Sequence, residues 1–392
     1  MGREDFNISV QVFTGVFDEK AVDFDAIKNK LDAVYRLFSI DRLIIGWRPD
    51  RQLYRQVKQY LEEHQTKMIL WLPVFSELGS FRKFEPVVDF NGREIDSYMF
   101  QNGESFEFYC PASKRNLENV KSVFEEQYED ACFDGVFLDK IRYPSLANGL
   151  RSVFSCFCKD CTAAMEAEGL DTGELISEIR RITDGGGLFE LKEPISVIGN
   201  DSFIYSFENP MWKRFFDFRS NSVSRSVHGL YDYFRGKGLS VGLDIFAHSI
   251  GYFVGQEAAK LEDYADFIKP MYYRKAMAPA GIPFERQMLQ RVFAMKPCCQ
   301  ALTRDEDNTY PLEKALQEYK ILQKLGNKTP IYPGIEINRD GQISPVYPGD
   351  VEENLEVIQK SGLKGVVLAW NVMEAPEENL RAVRQYFSGA SC

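Results

Sequence analysis

Residues 133–144 read Phe-Asp-Gly-Val-Phe-Leu-Asp-Lys-Ile-Arg-Tyr-Pro, an apolar run of strand length that ends among charged side chains. The composition of Gly135–Tyr143 predicts a buried β-strand. Seven further short runs are rich in β-branched and aromatic residues: Ile8–Thr14, Arg42–Trp47, Lys67–Val74, Leu239–Ala247, Ala265–Tyr273, Pro330–Ile337 and Gly365–Trp370. Strands that are hydrophobic along nearly their whole length are typical of parallel sheets covered on both faces.

Segments with helical periodicity lie between these runs. They are Asp23–Leu37, Arg51–Glu63, Lys114–Tyr128, Trp212–Arg235, Pro311–Leu325 and Val351–Ser361. Eight strands that alternate with helices predict an α/β fold, a single (β/α)8 TIM barrel over residues 1–392. A doubly wound open sheet is the alternative. It would normally carry a glycine-rich phosphate turn after the first strand, and residues 14–17, Thr-Gly-Val-Phe, do not form one.

Two long segments interrupt the alternation, at residues 75–113 and 144–210. They follow the third and fourth predicted strands, so we expect them to be loop insertions at the carboxyl-terminal face of the barrel. Loops at that face build the active sites of such barrels. The sequence therefore predicts one barrel with two elaborate loops rather than two domains.

The composition limits the classes of partner. The chain has 392 residues, 44% of them hydrophobic, and a formal net charge of −11. This charge disfavours nucleic acid and anionic membranes as partners. No stretch is long and apolar enough for a membrane helix, and the first residues lack the apolar region of a secretory signal, so we expect a cytoplasmic protein. The composition is compatible with a homo-oligomer. With no P-loop and no G-x-G-x-x-G motif, no organic cofactor is predicted.

Three carboxylates, Asp139, Asp244 and Glu336, lie inside otherwise apolar strands. A buried carboxylate needs a cation, hydrogen bonds or a proton, so each could belong to a structural ion pair. Three of them at the ends of separate strands favour a shared polar site instead. Two carboxyl groups across a pocket are what glycosidic bond cleavage requires, about 5–5.5 Å apart for retention and about 6.5–9.5 Å for inversion. Which of the three is acid, and which is nucleophile or base, is left open.

Other polar and aromatic side chains at the strand ends are candidates for binding or orienting a sugar: Arg48, Trp71, Arg142, Lys269, Tyr272, Trp370 and Asn371. Lys269 also permits another function, because a lysine on the sixth strand is where class I aldolases place their Schiff-base residue. An aldolase or lyase is therefore an alternative to a small-molecule glycosidase.

The run Asp134-Gly135-Val136-Phe137-Leu138-Asp139 resembles the fourth strand of barrel glycoside hydrolases, where D-G-x-x-x-D ends on a functional Asp. Polygalactosaminidase-like and α-amylase-like enzymes share this pattern. It also resembles part of the chitinase pattern D-G-x-D-x-D-x-E, with Phe137 and Ile141 in place of an Asp and the catalytic Glu. The resemblance implies a sugar-cleaving barrel with Asp139 at its centre. The Ile141 replacement, together with the lack of an Asn-Glu pair at the end of this strand, supports a different alternative, a non-catalytic carbohydrate-binding barrel.

A cysteine cluster, Cys156-Phe157-Cys158-Lys159-Asp160-Cys161, follows the fourth strand, and Cys110 precedes that strand. The arrangement resembles the family 42 β-galactosidases, whose barrels hold a zinc between one Cys ahead of strand 4 and a C-x-C-x-x-C run after it. The resemblance implies a structural Zn²⁺ on Cys110, Cys156, Cys158 and Cys161, because four thiolates make a closed site. Cys132 or the pair Cys298-Cys299 are alternative fourth ligands, and reduced core thiols are the alternative to any metal. The family's strand-7 nucleophile corresponds to Glu336.

Overall fold

The computed structural model describes residues 6–15, 22–95, 98–99, 105–184, 191–198, 204–207, 209–295, 308–325, 328–341 and 343–389. In chain order their strands are β1 (Asn7–Phe13), β2 (Arg42–Gly46), β3 (Lys67–Pro73), β4 (Tyr98–Met99), β5 (Ser105–Phe106), β6 (Gly135–Asp139), β7 (Leu191–Ile198), β8 (Ile204–Phe207), β9 (Ser240–Phe246), β10 (Phe267–Met271), β11 (Phe293–Met295), β12 (Gly334–Glu336), β13 (Arg339–Asp340), β14 (Ser344–Pro345) and β15 (Gly365–Ala369). Cys298 and Cys299 lie outside the described residues.

The α-helices of the described residues are α1 (Phe24–Tyr35), α2 (Arg51–Glu63), α3 (Lys114–Gln127), α4 (Leu150–Val153), α5 (Lys159–Ala167), α6 (Thr172–Asp184), α7 (Pro210–Gly236), α8 (His248–Gly251), α9 (Ala258–Leu261), α10 (Ile282–Val292), α11 (Leu312–Leu325), α12 (Pro348–Ser361) and α13 (Glu377–Ser388). Several begin where the sequence supplies a capping side chain. Asp23, Asp50 and Ser113 each accept a hydrogen bond from a backbone N–H in the first turn of α1, α2 and α3. Such caps satisfy donors that have no partner within the helix.

Eight parallel strands form a closed barrel in the order β1-β2-β3-β6-β9-β10-β12-β15, and β15 pairs with β1 to close it. The predicted (β/α)8 fold is therefore confirmed, with all eight strands at their predicted positions. The first predicted insertion contains the short β4–β5 hairpin, and the second contains α4, α5 and α6 together with the paired strands β7 and β8. The helices α4, α5, α6, α8, α9, α10 and α13 are not among the predicted helices.

The interior of the barrel changes from apolar to polar along its axis. Its lower part is a cluster of six buried side chains: Ile44, Ile69, Phe137, Phe267, Tyr332 and Val367. The Arg42 guanidinium lies 5.0 Å from the centre of the Phe267 ring and 5.2 Å from that of Tyr332. Further along the same strands, the inward positions hold carboxylates, a lysine and a tryptophan. The apolar cluster thus separates the polar end of the barrel from the solvent at the other end.

Gly334, the first residue of β12, leaves space inside the barrel for the side chain of Lys269. A Cβ atom at position 334 would lie 2.2 Å from Cε of Lys269, and its next two contacts would be other carbons of the same side chain. Lys269 is fully buried and its Nζ makes two hydrogen bonds, so its side chain has little freedom to move away.

We expect Gly334→Ala to lower the free energy of unfolding by about 1–3 kcal/mol, because overpacking forces a fixed side chain to shift. Urea denaturation measures the change. Gly341→Ala is the matched control, since a Cβ there meets nothing within 4 Å. Equal stability of the two variants would contradict the placement of Lys269 over Gly334.

Candidate active site

Three adjacent barrel strands carry charged side chains at matching positions. Asp244 on β9 pairs in register with Lys269 on β10. Asp139 on β6 lies one residue beyond the pair formed by Leu138 and Leu243, so it lies beside Asp244 on the neighbouring strand. Adjacent strands are about 4.8 Å apart, and register partners point to the same face of a sheet. The two aspartates and the lysine therefore form a row on the inner wall.

Lys269 connects two members of the site. Its Nζ donates to Oδ2 of Asp244 at 2.9 Å and to the hydroxyl oxygen of Tyr273 at 2.7 Å. The other carboxylate oxygen of Asp244, Oδ1, is buried and has no hydrogen-bond partner among the described residues. Burial raises the pKa of Asp244 to about 7. The charge of Lys269 opposes this shift, and the charge of Asp139 adds to it.

Asp139 is only partly buried and is held by two N–H donors. The indole Nε1 of Trp71 donates to its Oδ2 at 2.9 Å, and the backbone N–H of Lys140 donates to its Oδ1 at 2.5 Å. The Lys140 ammonium turns away to Glu77, at 2.7 Å, and lies over the Trp47 ring. Both carboxylate oxygens therefore accept a hydrogen bond, and the carboxylate is fixed in a position that solvent can reach.

Glu336 ends β12 and is almost fully buried. Its Oε2 accepts from the backbone N–H of Arg274 at 2.7 Å, and its Oε1 accepts from the hydroxyl of Ser344 at 2.9 Å. The backbone N–H of Lys275 contacts both oxygens at 3.3 Å. Burial raises the pKa of Glu336 to about 7 although these hydrogen bonds lower it.

Tyr273 shows that the three carboxylates share one site. Burial raises the pKa of its phenol well above the ordinary value, and the charges of Asp244, Asp139 and Glu336 raise it further. Its hydroxyl shares the Lys269 ammonium with Asp244, and Glu336 accepts from the backbone N–H of Arg274, the residue that follows Tyr273. The Tyr273 ring also packs edge-on against Trp370, with the ring centres 5.6 Å apart. The structure thus brings the three predicted catalytic residues together around a side chain that the sequence prediction did not select.

The predicted sugar-binding residues divide into three groups. In the first group, Trp71 contacts Asp139, Lys269 contacts Asp244 and Tyr273, and Trp370 contacts Tyr273. Tyr272 points elsewhere: it is fully buried, and its hydroxyl donates to Glu318 on α11 at 2.8 Å. Alternation along β10 distinguishes the two tyrosines, because Lys269 points inward and Tyr273 lies four residues further on. This periodicity is visible in the sequence and could have identified Tyr273.

Three further predicted residues line or support the rim. Arg142 is buried, with its guanidinium 4.7 Å from the centre of the Phe246 ring, and its charge lowers the pKa of Asp244. Asn371 accepts a hydrogen bond from the backbone N–H of Phe13 at 3.3 Å and so ties the end of β15 to β1. The backbone N–H of Arg48 donates to the Thr14 hydroxyl at 3.1 Å.

A second cluster lies beside the fourth strand. The Sγ atoms of Cys110, Cys156, Cys158 and Cys161 all lie within 4.8 Å of one another, so the four cysteines could hold a metal ion. The backbone N–H of Val88 donates to Sγ of Cys156 at 3.2 Å. Cys132 is exposed and is not part of this group. The structure therefore brings together the predicted set of four, including Cys110.

A buried cation lies behind the cysteines. Arg219 on α7 is fully buried, and its guanidinium donates to the carbonyl oxygens of Val153 and Pro144 at 2.6 and 3.1 Å. It lies 4.6 Å from the centre of the Tyr143 ring, and the Tyr143 hydroxyl is 3.9 Å from Sγ of Cys161. Burial lowers the pKa of Arg219 to about 9, while the tyrosine and the nearby cysteines raise it.

Compared by sequence, the chain matches no family model and no curated protein. Among solved structures it is similar to the PgaB (BpsB) glycoside hydrolase domain from Bordetella bronchiseptica, with a TM-score of 0.55, 12% identity and coverage of 98% of this chain and 99% of that one. It is also similar to the alpha-L-fucosidase isoenzyme 2 from Paenibacillus thiaminolyticus, with a TM-score of 0.54 and 12% identity, over 98% of this chain and 49% of that one.

A third similar structure is the beta-N-acetylhexosaminidase from Bacteroides fragilis, with a TM-score of 0.50, 10% identity and coverage of 98% and 66%. The likeness to barrel glycoside hydrolases that the sequence predicted is thus confirmed at the level of the fold. The likeness of the cysteine cluster to family 42 β-galactosidases is not shown by these comparisons. In the described part of the chain, no helix is long and apolar enough to cross a membrane.

The buried carboxylates predict a pH dependence. The pKa values of Asp244 and Glu336 are about 7 in the folded chain, against 3.8 and 4.5 as ordinary values. Because the pKa is higher in the folded chain than in the unfolded chain, the two carboxyl groups contribute fully to the free energy of unfolding below about pH 4. This contribution is lost as the pH rises through about 7. We expect protonated-carboxyl bands in the infrared spectrum that titrate near pH 7.

Asp244→Asn and Glu336→Gln should each remove one component of these bands. Asp130→Asn, at an exposed carboxylate, is the matched control and should remove none. Absence of a protonated-carboxyl band from the wild type at pH 5.5 would contradict the prediction.

Proposed function

We propose that the chain is a glycoside hydrolase whose reaction centre lies between Asp139 and Glu336. The observation that carries the proposal is the position of both carboxylates at the carboxyl ends of barrel strands, Asp139 beside Asp244 at the end of β6 and Glu336 on the backbone N–H of Arg274 at the end of β12. They stand at the ends of the fourth and seventh barrel strands, three positions apart around an eight-stranded ring. Side chains from such strands approach a bound group from different sides, as cleavage by two carboxylates requires. The three similar structures, a glycoside hydrolase domain, a fucosidase and a hexosaminidase, support the same class.

The environments of the two carboxylates suit different roles. Asp139 receives two N–H donors, so it fits the charged group that attacks the sugar or activates water. Glu336 has a pKa of about 7 and fits the group that donates a proton to the leaving oxygen. A pair whose environments favour opposite protonation states is typical of this reaction. Asp244 is the other candidate donor, because its pKa is raised to a similar value.

Lys269 is less suited to a Schiff-base reaction. Its amine is fully buried and is held by Asp244 at 2.9 Å and by the Tyr273 hydroxyl at 2.7 Å. A Schiff base requires a free, unprotonated amine that meets a carbonyl group. An ammonium paired with a carboxylate instead suits the orientation of Asp244 and Tyr273.

The proposal predicts different losses in two variants on a panel of α- and β-linked aryl glycosides. We expect Asp139→Asn to lose about 10³-fold or more in kcat/KM on every substrate that the wild type cleaves, because no other group replaces the attacking carboxylate. Glu336→Gln should lose activity on glycosides with poor leaving groups but keep most of it on dinitrophenyl glycosides, which need no proton.

Asp130→Asn is again the matched control and should behave as the wild type. If Asp244→Asn shows the leaving-group dependence instead, the donor is Asp244. An unchanged rate in Asp139→Asn would contradict the proposal. If no glycoside is cleaved but a sugar is bound, the chain is a carbohydrate-binding barrel.

We further propose that the four cysteines hold a structural zinc ion. A tetrahedral site with Zn–S bonds of about 2.3 Å places its sulfurs about 3.8 Å apart. The distances from Cys110 to Cys161 and Cys158, 3.4 and 3.6 Å, fit this donor set. Four thiolates around Zn²⁺ carry a net charge of −2, and the buried guanidinium of Arg219 lies where it offsets that charge. The ion would fasten residues 156–161 to Cys110.

We expect elemental analysis of the purified chain to find about one zinc per molecule, and Cys161→Ser to lose most of it, since three remaining thiolates bind the ion less tightly. Cys132→Ser is the matched control and should keep the zinc, because that thiol is exposed and lies outside the cluster. A wild-type protein that folds and remains metal-free after growth with zinc would contradict the proposal.

A further inference from the structure

Gln11 lies in the middle of β1 and is fully buried. Neither the oxygen nor the nitrogen of its side-chain amide has a hydrogen-bond partner among the described residues. Burial of an amide without partners is costly, and most buried polar groups in proteins are paired. Gln11 is therefore unusual for a residue that serves only to fill space.

The register of the strands shows where this amide points. Ile8, Val10 and Val12 belong to the core cluster that packs between the strands and the helices. Gln11 alternates with them and pairs in register with Ile44, a member of the cluster inside the barrel. Its side chain therefore points into the barrel.

Gln11 shares one interior layer with Asp244. Successive register pairs lead from Gln11 to Ile44, Ile69, Gly135 and Ser240. Because the strands are tilted, the residue at a given height along the barrel axis lies about one position further along the chain than the register partner, for each strand crossed. Each interior layer takes its side chains from alternate strands. On β3, two strands from β1, the residue at the level of Gln11 is therefore Trp71, two residues after Ile69. On β9, four strands from β1, it is Asp244, four residues after Ser240.

In an eight-stranded barrel the first and fifth strands lie opposite each other, so the Gln11 amide faces the Asp244 carboxylate across the axis. This is the carboxylate whose Oδ1 has no partner among the described residues, whereas Oδ2 is held by Lys269. Trp71 forms the wall between them and is fixed to Asp139 by its indole N–H. Two unpartnered polar groups thus face each other just below the proposed reaction centre.

We infer that Gln11 and Asp244 bind one hydroxyl group of the sugar ring that occupies the reaction centre, with the ring against Trp71. The hydroxyl bonds to Oδ1 of Asp244 and to the Gln11 amide, donating to one and accepting from the other, so that both unpartnered groups become satisfied. This inference rests on the proposed function, because a sugar must enter between Asp139 and Glu336 to reach them. Gln11 is then a specificity-determining residue that selects sugars bearing a hydroxyl at one ring position.

The test compares wild type with Gln11→Met, which keeps the volume of the side chain and removes both polar atoms. The substrates are the aryl glycoside that the wild type cleaves fastest and its mono-deoxy analogues. We expect Gln11→Met to lose about 10- to 100-fold in kcat/KM on the parent, and the wild type to lose about as much on one analogue. On that analogue the variant should show no further loss, because the hydroxyl that Gln11 contacts is absent.

Ser9→Ala is the matched control, since Ser9 is buried on the same strand and its hydroxyl bonds to Asn7. It should retain the activity of the wild type. If Gln11→Met has the same kcat/KM as wild type on every substrate, Gln11 binds no more than buried water and the inference is overturned. If its loss is equal on the parent and on every analogue, the effect is not recognition of a hydroxyl, and the inference is again overturned.

If the wild type hydrolyses nothing, the proposed function fails separately from this inference. Binding of free monosaccharides, followed by titration calorimetry, then decides. Binding that is lost in Gln11→Met and kept in Ser9→Ala supports the hydroxyl site in a non-catalytic barrel. Binding that is equal in the two variants, or absent from the wild type, overturns the inference.

Discussion

Closure of the barrel is the constraint on which the rest of the structure depends. Eight tilted strands leave room for about four side chains in each interior layer, so any charge placed there must meet its neighbours. The lower layers hold the apolar cluster around Phe137 and Phe267, whose parallel rings are 5.8 Å apart. Asp244 lies in the layer above Phe137 and is paired at 2.9 Å with Lys269. The site is therefore the part of the barrel interior in which polar groups replace the apolar filling.

The fold could be predicted from the sequence because each strand is a local apolar run and each helix has its own period. The predicted run Lys67–Val74 differs from β3 by one residue, and Arg51–Glu63 coincides with α2. The helix α13 was missed although its buried positions, among them Leu380 and Val383, follow a helical spacing. The sequence predicts a loop insertion for the whole of the second long segment, and the helices α4, α5 and α6 within it are therefore not predicted.

The candidate site was predicted only in part, because side-chain direction depends on register and on where a strand ends. Three carboxylates were recognisable as charges within apolar runs. The choice between Tyr272 and Tyr273 depends on which residues of β10 point inward, and the period of two from Lys269 favours Tyr273. Gln11 resembled an ordinary polar residue in a strand, since nothing local shows that its amide lacks partners. The cysteines were recognisable because their spacing is itself the pattern.

The contact between Lys269 and Gly334 also has a consequence for engineering of this barrel. The lysine side chain occupies the space that a larger residue at position 334 would fill, so the two positions share one volume. Replacement of Lys269 by a small residue would leave a cavity and an unpaired buried carboxylate together. A redesigned core would have to change both positions at once, and Asp244 with them. The residue types at positions 244, 269 and 334 therefore depend on one another, although the three positions lie on different strands.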